Sequence, residues 1–565
     1  MQYRDLASTH NEMDDDSKEN EELVSNIVIM GVSMLLIGLV TIAIVGNING
    51  GSENEANLKT INSICEKTEA PESCLHVLKH VGERATVLNY VKASINATLE
   101  ELSVVNIPKP YLERILTPLQ VQSYKDCLEL LNMGKEELEY LYMVANSSIK
   151  DEVCTINPDD VVNSLSAIIS YQQTCTIELV RTNSYDLLGY SLKLPILLTK
   201  ITLAIVDNFL ERPNMEGRLL EGGKKWIPRA EHKFMEVEET RIVVAQDGSG
   251  NFRTITESLN ECAKNKNSSC VIYVKKGKYE ERVVVPKKLD QVLMYGDGPM
   301  NTIVIGINTR HITMVTTPFH SATFVVKGKG FTCKDMGFIA PTDIPGAPAL
   351  SVLSDHAAFF NCKIEGGEGT LYAIAQRQFY RDCEIRGSVD IIKGDSTTLI
   401  QNSKIIITPQ NTSNIVLRKN VVSVQSRLDK YERTGLVIQN CTIIASSEGE
   451  ENDDNLVGST CLGIPRSEYS RTIIMESFLG DVIRPRGWCK WSDNYGIDTA
   501  TFREYNNRGP GARNDKRVHW ESYRTVSIDQ RNDEMMSYTA AEFIQADQWL
   551  MNSSIPYESG FFFHK

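Results

Sequence analysis

A short motif recurs four times in the second half of the chain and constrains the fold more than any other feature. The copies, FFNCKI, FYRDCEI, LIQNSKI and VIQNCTI, end at Ile364, Ile385, Ile405 and Ile443. Their Cys or Ser positions are separated by 21, 20 and 38 residues. A unit of this length cannot bury its apolar face alone, so the units are expected to stack. We therefore predict a parallel β-helix, with the last step spanning two coils and with ladders of Asn and Cys side chains.

The whole region 241–565 has a residue pattern consistent with such coils. Short runs of β-branched and aromatic residues alternate there with Gly, Asn and Asp, which is typical of short strands and turns. An antiparallel β-sandwich is the alternative, but hairpin turn signals are few, and this favours the β-helix. A solenoid of this kind offers a long open groove suited to a polymer.

Residues 56–210 have a different periodicity. Apolar residues recur at helical spacing in KEELEYLYMVA (135–145) and in VVNSLSAIISYQQTCTIELV (161–180), while strand-like alternation is scarce. This pattern predicts an all-α helical bundle. The segment 211–240 that follows is rich in Gly, Pro and charge, and we interpret it as a linker.

The segment 27–45 contains 19 residues without a charge, which is long enough to cross a bilayer. The tail before it, 1–26, carries two basic and eight acidic residues, whereas a cleaved signal peptide has a basic start. We therefore predict an uncleaved transmembrane anchor, with a buried core helix as the alternative. Because basic flanking residues are sparse, charge alone does not set its orientation.

Beyond this segment the chain carries six N-x-S/T sequons and all of its 13 cysteines. Both features are expected of a chain that enters the secretory pathway and faces the extracellular space. An odd number of cysteines leaves at least one thiol unpaired. The asparagines expected to be glycosylated are Asn96, Asn146, Asn267, Asn411, Asn440 and Asn552.

The formal net charge of −14 argues against a nucleic-acid ligand, which requires a basic surface. The same charge suits an anionic polymer only if the working surface is locally neutral or basic. His76 and His80 have a spacing that can hold a metal, but no third ligand accompanies them. We therefore expect neither a metal nor a cofactor.

Five ordered blocks run through the 241–565 region: VVAQDGSGNFRTI (243–255), VIYVKKGKYEERV (271–283), RQFYRDCEIRGSVD (377–390), SRTIIMESFLGDVIRPRGWCKW (470–491) and EYNNRGPGA (504–512). Together they resemble the plant pectin methylesterases. Three shorter segments, SICEKTEAPESC (63–74), KDCLELL (125–131) and QTC (173–175), resemble the inhibitor-like domain that precedes the esterase domain in that family. The resemblance implies the disulfides Cys65–Cys74 and Cys127–Cys175 and leaves Cys154 without a partner.

The expected fold is thus multidomain, with a transmembrane anchor, an all-α inhibitor-like bundle and a right-handed parallel β-helix. The family hydrolyses methyl esters of galacturonan without a metal or cofactor. One Asp attacks the ester carbonyl, a second Asp acts as acid and base, and two Gln side chains donate hydrogen bonds to the oxyanion. An Arg holds the nucleophile ionised. These roles follow from the chemistry of acyl transfer.

Most of these groups are replaced in this chain. The nucleophile motif, similar to DFIFG, keeps its Asp as Asp390, but Gly369 stands at the acid/base position and Ile464 at that of the Arg. The two Gln positions hold Gly346 and Glu368. A cysteine expected one coil after Cys383 is a serine. The positions that depart from the family are Pro318, Gly346, Glu368, Gly369, Ile464 and Arg466, the last in place of an aromatic residue.

These replacements predict a family member whose catalysis is severely impaired. Lys393 and Arg466 are new cations near the groove, and carboxylates of de-esterified pectin are candidate ligands for both. Because Lys393 lies three residues after Asp390, a regular strand would place the two on opposite faces. Two alternatives stay open: an active carboxylic ester hydrolase with a rearranged site, and a non-catalytic protein that binds pectin or inhibits other pectin methylesterases through its helical domain.

Overall fold

The computed structural model of the chain describes most of the two predicted domains. The predicted anchor, the linker, Cys154 and the sequons at Asn267 and Asn411 lie outside the described residues. The described ranges are 53–82, 85–105, 116–150, 157–210, 241–264, 270–307, 317–341, 344–410, 419–446, 456–526 and 533–562.

The first part of the described chain is helical. The helix that begins at Pro158 shows why these segments form. Proline stands at its first position, the Asn157 side chain accepts a hydrogen bond of 3.1 Å from the Asp159 amide, and Asp159 and Asp160 lie in the first turn. The helices are α1 Glu53–Cys65, α2 Pro71–Leu78, α3 Val87–Val104, α4 Pro118–Lys150, α5 Pro158–Arg181 and α6 Tyr185–Phe209.

Two disulfides in the helical part agree with the resemblance. Cys65 is bonded to Cys74, and Cys127 on α4 is bonded to Cys175 on α5. Two further disulfides that the sequence did not assign, Cys262–Cys270 and Cys461–Cys489, lie in the second part of the chain. All eight cysteines belong to the side of the chain that follows the predicted anchor.

One described helical segment, Leu188–Phe209 in α6, is long and apolar enough to cross a membrane. Most of it is buried inside the protein. Its Leu192, Leu203 and Ile205 are fully buried in the core of the bundle. Burial among other helices accounts for its composition.

The second part is a parallel β-helix of three sheets, in which every strand pair is parallel. The antiparallel sandwich is therefore wrong. Over most of the solenoid, successive strands follow in the order first, second and third sheet, and each coil repeats that order, whereas the first described strand and the last two all belong to the first sheet.

The first sheet contains β1 Arg241–Val244, β2 Cys270–Val274, β5 Val292–Tyr295, β8 Thr332–Lys334, β11 Ala357–Phe360, β14 Arg377–Arg381, β17 Thr397–Gln401, β20 Gly435–Gln439, β23 Arg471–Met475, β25 Thr501–Tyr505 and β26 Tyr523–Val526. The second contains β3 Gly277–Glu280, β6 Thr302–Ile305, β9 Gly337–Ile339, β12 Lys363–Glu365, β15 Glu384–Gly387, β18 Lys404–Ile407, β21 Thr442–Ala445 and β24 Phe478–Leu479. The third, here the groove sheet, contains β4 Val283–Val285, β7 Phe324–Val326, β10 Leu350–Val352, β13 Leu371–Ala373, β16 Ile392–Gly394, β19 Asn420–Gln425 and β22 Thr460–Pro465.

Short helices accompany the solenoid. One, α7 (Ile255–Cys262), belongs to its first coil, and α8 (Pro318–Ser321) precedes β7. Three others near the C-terminus belong to a separate apolar cluster that packs on outward side chains of the first sheet, including Phe379 and Val437. They are α9 Asp533–Met536, α10 Ala540–Phe543 and α11 Ala546–Trp549.

The coil count differs from the prediction at the last repeat. β17 pairs directly with β20, with Gln401 opposite Gln439, so the step of 38 residues is one coil and not two. The extra residues lie between β18 and β20, where β19 is followed by the loop 426–434. The repeat motif identifies where a strand starts but not how many residues one coil contains, because a longer loop leaves the register between paired strands unchanged.

The predicted ladders are present. The Asn440 side chain donates to Asn402 one coil away, at 3.2 Å. Inside the solenoid, the Sγ atoms of Cys362 and Cys333 lie 4.0 Å apart. Cys383 is a buried free thiol, as expected from the serine at the next step, and its amide donates to the Ser403 hydroxyl at 3.0 Å.

The helical bundle lies on the groove sheet, mainly through α5. The Tyr171 hydroxyl donates to the Leu353 carbonyl at 3.3 Å, and the Ser170 hydroxyl donates to the Ile374 carbonyl. Leu353 and Ile374 share one apolar cluster with the bundle core. The two parts are therefore joined by continuous buried packing.

A buried carboxyl group lies at the same boundary. Asp126 on α4 is 2% exposed and accepts hydrogen bonds from Thr317, which caps α8, and from Gln122 at 2.7 Å. Burial raises its pKa from 3.8 to about 6, against these two hydrogen bonds, and nearby carboxylates raise it further.

This raised pKa predicts a pH-dependent stability. The folded protein holds the Asp126 proton more tightly than the unfolded chain, so the stabilisation is complete below about pH 4 and is lost as pH rises through about 6. Asp126→Asn does not titrate. The stability of the variant minus that of the wild type should therefore be about 2–3 kcal/mol higher at pH 7 than at pH 4. Urea unfolding measures both stabilities. Glu139→Gln, an exposed carboxyl on the same helix, should show no such difference, and an equal response of both variants would contradict the assignment.

Candidate active site

A row of side chains crosses the outward face of the groove sheet. The strand register places Tyr372 beside Lys393, Lys393 beside Val424 and Val424 beside Ile464. Their chain neighbours Leu371 and Ile392 point into the solenoid core, so the row faces away from it. Two of the positions singled out from the sequence, Lys393 and Ile464, thus belong to one surface.

The remaining predicted positions stack just ahead of these strands. The backbone of Glu368 forms an isolated parallel β-bridge with that of Val389, and the Gly369 amide donates to the Val389 carbonyl at 2.9 Å. Glu368 and Gly369 therefore lie beside Asp390 on the next coil. A β-carbon at Gly346, one coil earlier, would lie 3.8 Å from the Glu368 carboxylate. The structure therefore brings Gly346, Glu368 and Gly369 together beside Asp390.

Lys393 lies against Gly369, the position at which the sequence predicts the acid/base residue of the family. A β-carbon at Gly369 would lie 2.6 Å from the Lys393 Nζ and 2.8 Å from its Cε. Gly369 also has a φ of +67°, which disfavours other residues. The ammonium group therefore stands where a side chain at position 369 would begin.

The regular strand that would place Lys393 and Asp390 on opposite faces is not formed. Asp390 precedes β16 and has a φ of +50°, so the two residues are not part of one regular strand. The left-handed residue breaks the alternation on which that expectation rested. The negative charge of Asp390 consequently acts on the Lys393 ammonium.

Burial lowers the pKa of Lys393, and the carboxylates of Glu178, Glu368 and Asp390 oppose this effect. The Nζ atom lies 4.8 Å from the centre of the Tyr372 ring, a distance suited to a cation–π contact. The site therefore places two cations, Lys393 and Arg181, beside three carboxylates, where the family chemistry needs hydrogen-bond donors aimed at growing negative charge.

The helical bundle supplies part of this site. Glu178 on α5 is 2% exposed and accepts a 3.0 Å hydrogen bond from the Arg181 guanidinium. Tyr372 is buried, which raises the pKa of its hydroxyl, and it hydrogen-bonds to Thr174 on the same helix. Sequence reasoning missed both α5 residues. The QTC segment identified a cysteine partner, but no local signal shows which distant strand a helix face will cover.

The other predicted positions lie around the row. Ile464 is 5% exposed and packs with Val424 and the Cys461–Cys489 disulfide, so an apolar cluster stands where the family has an Arg. The Arg466 guanidinium lies 4.3 Å from the ring of Trp491, which is 44% exposed. Pro318 is the first residue of α8. Among the described residues, no group of three or more His, Cys, Asp and Glu could hold a metal.

The contact between Lys393 and Gly369 can be tested by a double-mutant cycle. Gly369→Ala should lower the free energy of unfolding by about 2–3 kcal/mol, because it combines a left-handed backbone with a steric clash. In a Lys393→Ala background the loss should fall by about 1 kcal/mol, since the clash is removed. Gly367→Ala is the matched control, because a β-carbon there meets nothing within 4 Å. Equal losses in both backgrounds, measured by urea unfolding, would place Lys393 elsewhere.

Comparisons with known proteins agree with this arrangement. The family described as pectinesterase matches residues 241–547, and the family described as plant invertase/pectin methylesterase inhibitor matches residues 59–205. Pectinesterase 2 of Arabidopsis thaliana is 31% identical over 88% of this chain and 89% of its own length. Pectinesterase/pectinesterase inhibitor PPE8B of Prunus persica is 35% identical over 77% and 82% of the respective chains.

Among solved structures, the pectin methylesterase from carrot superposes with a TM-score of 0.53. The two are 34% identical, and the superposition covers 57% of this chain and 98% of the carrot chain. The 57% of this chain that is covered corresponds to a single domain, which fits a match between the carrot protein and the β-helix. The family matches, the full-length relatives and the shared fold lead to one conclusion: the chain belongs to the pectinesterase family and carries an inhibitor-like helical domain ahead of its β-helix.

Proposed function

We propose that this chain is a pectin-directed member of its family in which ester cleavage is severely impaired. One observation carries the proposal: the Lys393 ammonium lies 2.6 Å from the point where a side chain at Gly369 would begin. The ammonium group lies where the resemblance expects a carboxyl group to begin, and Gly369 itself has no side chain that could donate or accept a proton.

The other replacements act in the same direction. Loss of a general acid/base costs about 10²- to 10⁴-fold in rate, and loss of one oxyanion donor costs about 10²- to 10³-fold. Glu368 places a carboxylate where negative charge must grow. The apolar cluster at Ile464 leaves Asp390 without the Arg that the family uses to hold it ionised. These losses are not additive, because a disabled site has little left to lose.

Binding of pectin without turnover is the second candidate function. The guanidinium of Arg466 stacked on the half-exposed Trp491 supports it. Such a pair offers an apolar face for a sugar ring and a cation for a carboxylate. Inhibition of other pectin methylesterases through the helical domain gains no such support, since α5 is already packed against the groove sheet of its own chain.

We further propose that the chain is anchored by residues 27–45 and that its two domains face the cell wall, as part of the secretory pathway. Asn96 is exposed on α3, so a glycan fits there. Asn146 on α4 is only partly exposed, and its side chain accepts a 2.7 Å hydrogen bond from Lys92. Asn440 belongs to the asparagine ladder, and a glycan on it would interrupt the hydrogen bond to Asn402.

Methanol release from methyl-esterified pectin tests the proposed loss of turnover. The wild-type chain should release methanol at no more than about one thousandth of the rate of an intact relative. A variant that restores the family's groups should gain more activity when Lys393 is also changed, because its ammonium lies at the start of the side chain that Gly369→Asp introduces. The restoring set is Gly346→Gln, Glu368→Gln, Gly369→Asp, Ile464→Arg and Arg466→Trp, made with and without Lys393→Phe.

The control for this assay is the same restoring set combined with Asp390→Asn, which removes the nucleophile position and should abolish any gain. Folding of each variant is checked by its thermal unfolding midpoint. Methanol release by the wild-type chain at the rate of an intact relative would refute the proposal and favour an active esterase with a rearranged site.

A further inference from the structure

A disulfide joins the last strand of the groove sheet to an exposed loop. Cys461 is the second residue of β22, and its partner Cys489 lies in the segment between β24 and β25. The backbone of that segment runs along β22. The Leu462 amide donates to the Gly487 carbonyl at 2.8 Å, and the Cys489 amide donates to the Gly463 carbonyl at 3.0 Å. The segment therefore extends the edge of the groove sheet, and the disulfide fastens it there.

The chain leaves the body of the β-helix directly after Cys489. Residues 490–495, here called the Trp491 loop, are all exposed. Trp491 and Tyr495 each expose nearly half of their surface, and the chain is buried again from Gly496. The disulfide consequently holds the residue from which this exposed loop begins.

The same disulfide belongs to the candidate site. It forms an apolar cluster on the groove sheet together with Val424 and Ile464. Arg466 directly follows β22, and its guanidinium lies 4.3 Å from the ring of Trp491. One partner of this cation–π pair is therefore attached to the strand that carries the first cysteine, and the other lies in the loop that follows the second. The disulfide connects the two partners covalently.

A cation lies against both sulfur atoms of the disulfide. The Arg484 Nη1 atom is 3.2 Å from the Cys489 Sγ and 3.6 Å from the Cys461 Sγ. A guanidinium group at this distance stabilises a thiolate, and a stabilised thiolate leaves a disulfide faster. Cys489 is 7% exposed whereas Cys461 is fully buried, so a reductant reaches the Cys489 sulfur first.

We propose that this disulfide positions Trp491 on Arg466 for pectin binding and that a dithiol reductant releases the pair. A thiolate of the reductant attacks the Cys489 sulfur, the bond between the two protein sulfurs breaks, and Cys461 leaves as a thiolate beside Arg484. The second thiolate of the reductant then displaces Cys489. The reductant ends as a disulfide, and its two protons pass through water to the two protein thiolates. The proposal rests on the proposed function for its ligand alone.

Reduction is expected to act locally, because other contacts hold the segment before the loop. The buried Trp488 ring stacks on Phe502 with the ring centres 4.4 Å apart, and its indole N–H donates to Glu504 at 3.1 Å. Loss of the disulfide leaves these contacts in place and allows Trp491 to separate from Arg466. A sugar ring then meets a loop that must be ordered on binding, which lowers affinity.

Trypsin cleavage after Lys490 in the full chain tests the tether without any ligand, because a protease needs an extended segment on both sides of the bond it cuts. Cys461→Ala/Cys489→Ala should raise the rate of this cleavage about tenfold, as mapped by mass spectrometry. Its affinity for polygalacturonate should fall about tenfold. The matched control, Cys262→Ala/Cys270→Ala, removes a disulfide from the start of the same β-helix and should change neither quantity.

Reduction by dithiothreitol tests the part played by Arg484. Arg484→Gln should slow reduction of the Cys461–Cys489 bond about tenfold, and Arg484→Lys, which keeps a cation, should restore most of the rate. Alkylation and peptide mapping measure the reduced fraction. In the wild type, cleavage after Lys490 should follow that fraction, which tests the tether without a substitution.

Each part of the proposal has a result that overturns it. Unchanged cleavage after Lys490 in the reduced wild type and in Cys461→Ala/Cys489→Ala would overturn the tether. Equal rates of reduction in the wild type and in Arg484→Gln would overturn the role of the guanidinium. Faster cleavage with unchanged affinity for polygalacturonate would overturn the link to pectin binding. A wild type that binds no polygalacturonate would contradict pectin binding itself, while the cleavage rates would still decide the tether.

Discussion

The contact between α5 and the groove sheet is the interaction on which the rest of the structure depends. A β-helix needs its interior buried, but the outward face of a sheet is free to be polar. Here that face carries Tyr372, Ile374 and Leu353, which join the core of the helical bundle. Because this apolar surface is closed by α5, the candidate site lies in an interface and not in an open groove, and its carboxylates and cations act on one another at short range.

The sequence predicted the β-helix well because its signal is local and repeated. Each coil places Asn and Cys at the same point, and their ladders form as expected, for example between Asn440 and Asn402. It failed at the 38-residue step, since register records where strands pair and not the length of chain between them. Local pattern also does not reveal that Asp390 is left-handed, which removes the alternation that a regular strand from Asp390 to Lys393 would impose.

The candidate site shows the same division between local and tertiary information. The replacements at Gly369 and Ile464 are visible in the sequence once the motifs are aligned. The structural consequences of these replacements are not visible in the sequence, because they depend on which groups fill the space of the replaced side chains. At Gly369 it is an ammonium group from the next coil, and around Ile464 it is an apolar cluster built on a disulfide. Thr174 and Glu178, from a helix nearly 200 residues earlier in the chain, could be placed at the site only by the fold.

Net charge illustrates why a whole-chain quantity can mislead about a surface. The value of −14 suits an anionic polymer only if the working surface is locally neutral or basic, and cations such as Lys327 and Arg377 do lie beside the groove sheet. Part of the negative charge belongs to acidic side chains of the helical bundle, and these side chains pair with those cations. Since opposite charges at about 3–4 Å interact far more strongly than distant ones, local pairing decides what these cations attract. The acidic total charge and the paired cations beside the groove sheet are therefore two consequences of one arrangement, in which the helical domain supplies carboxylates to basic side chains of the β-helix.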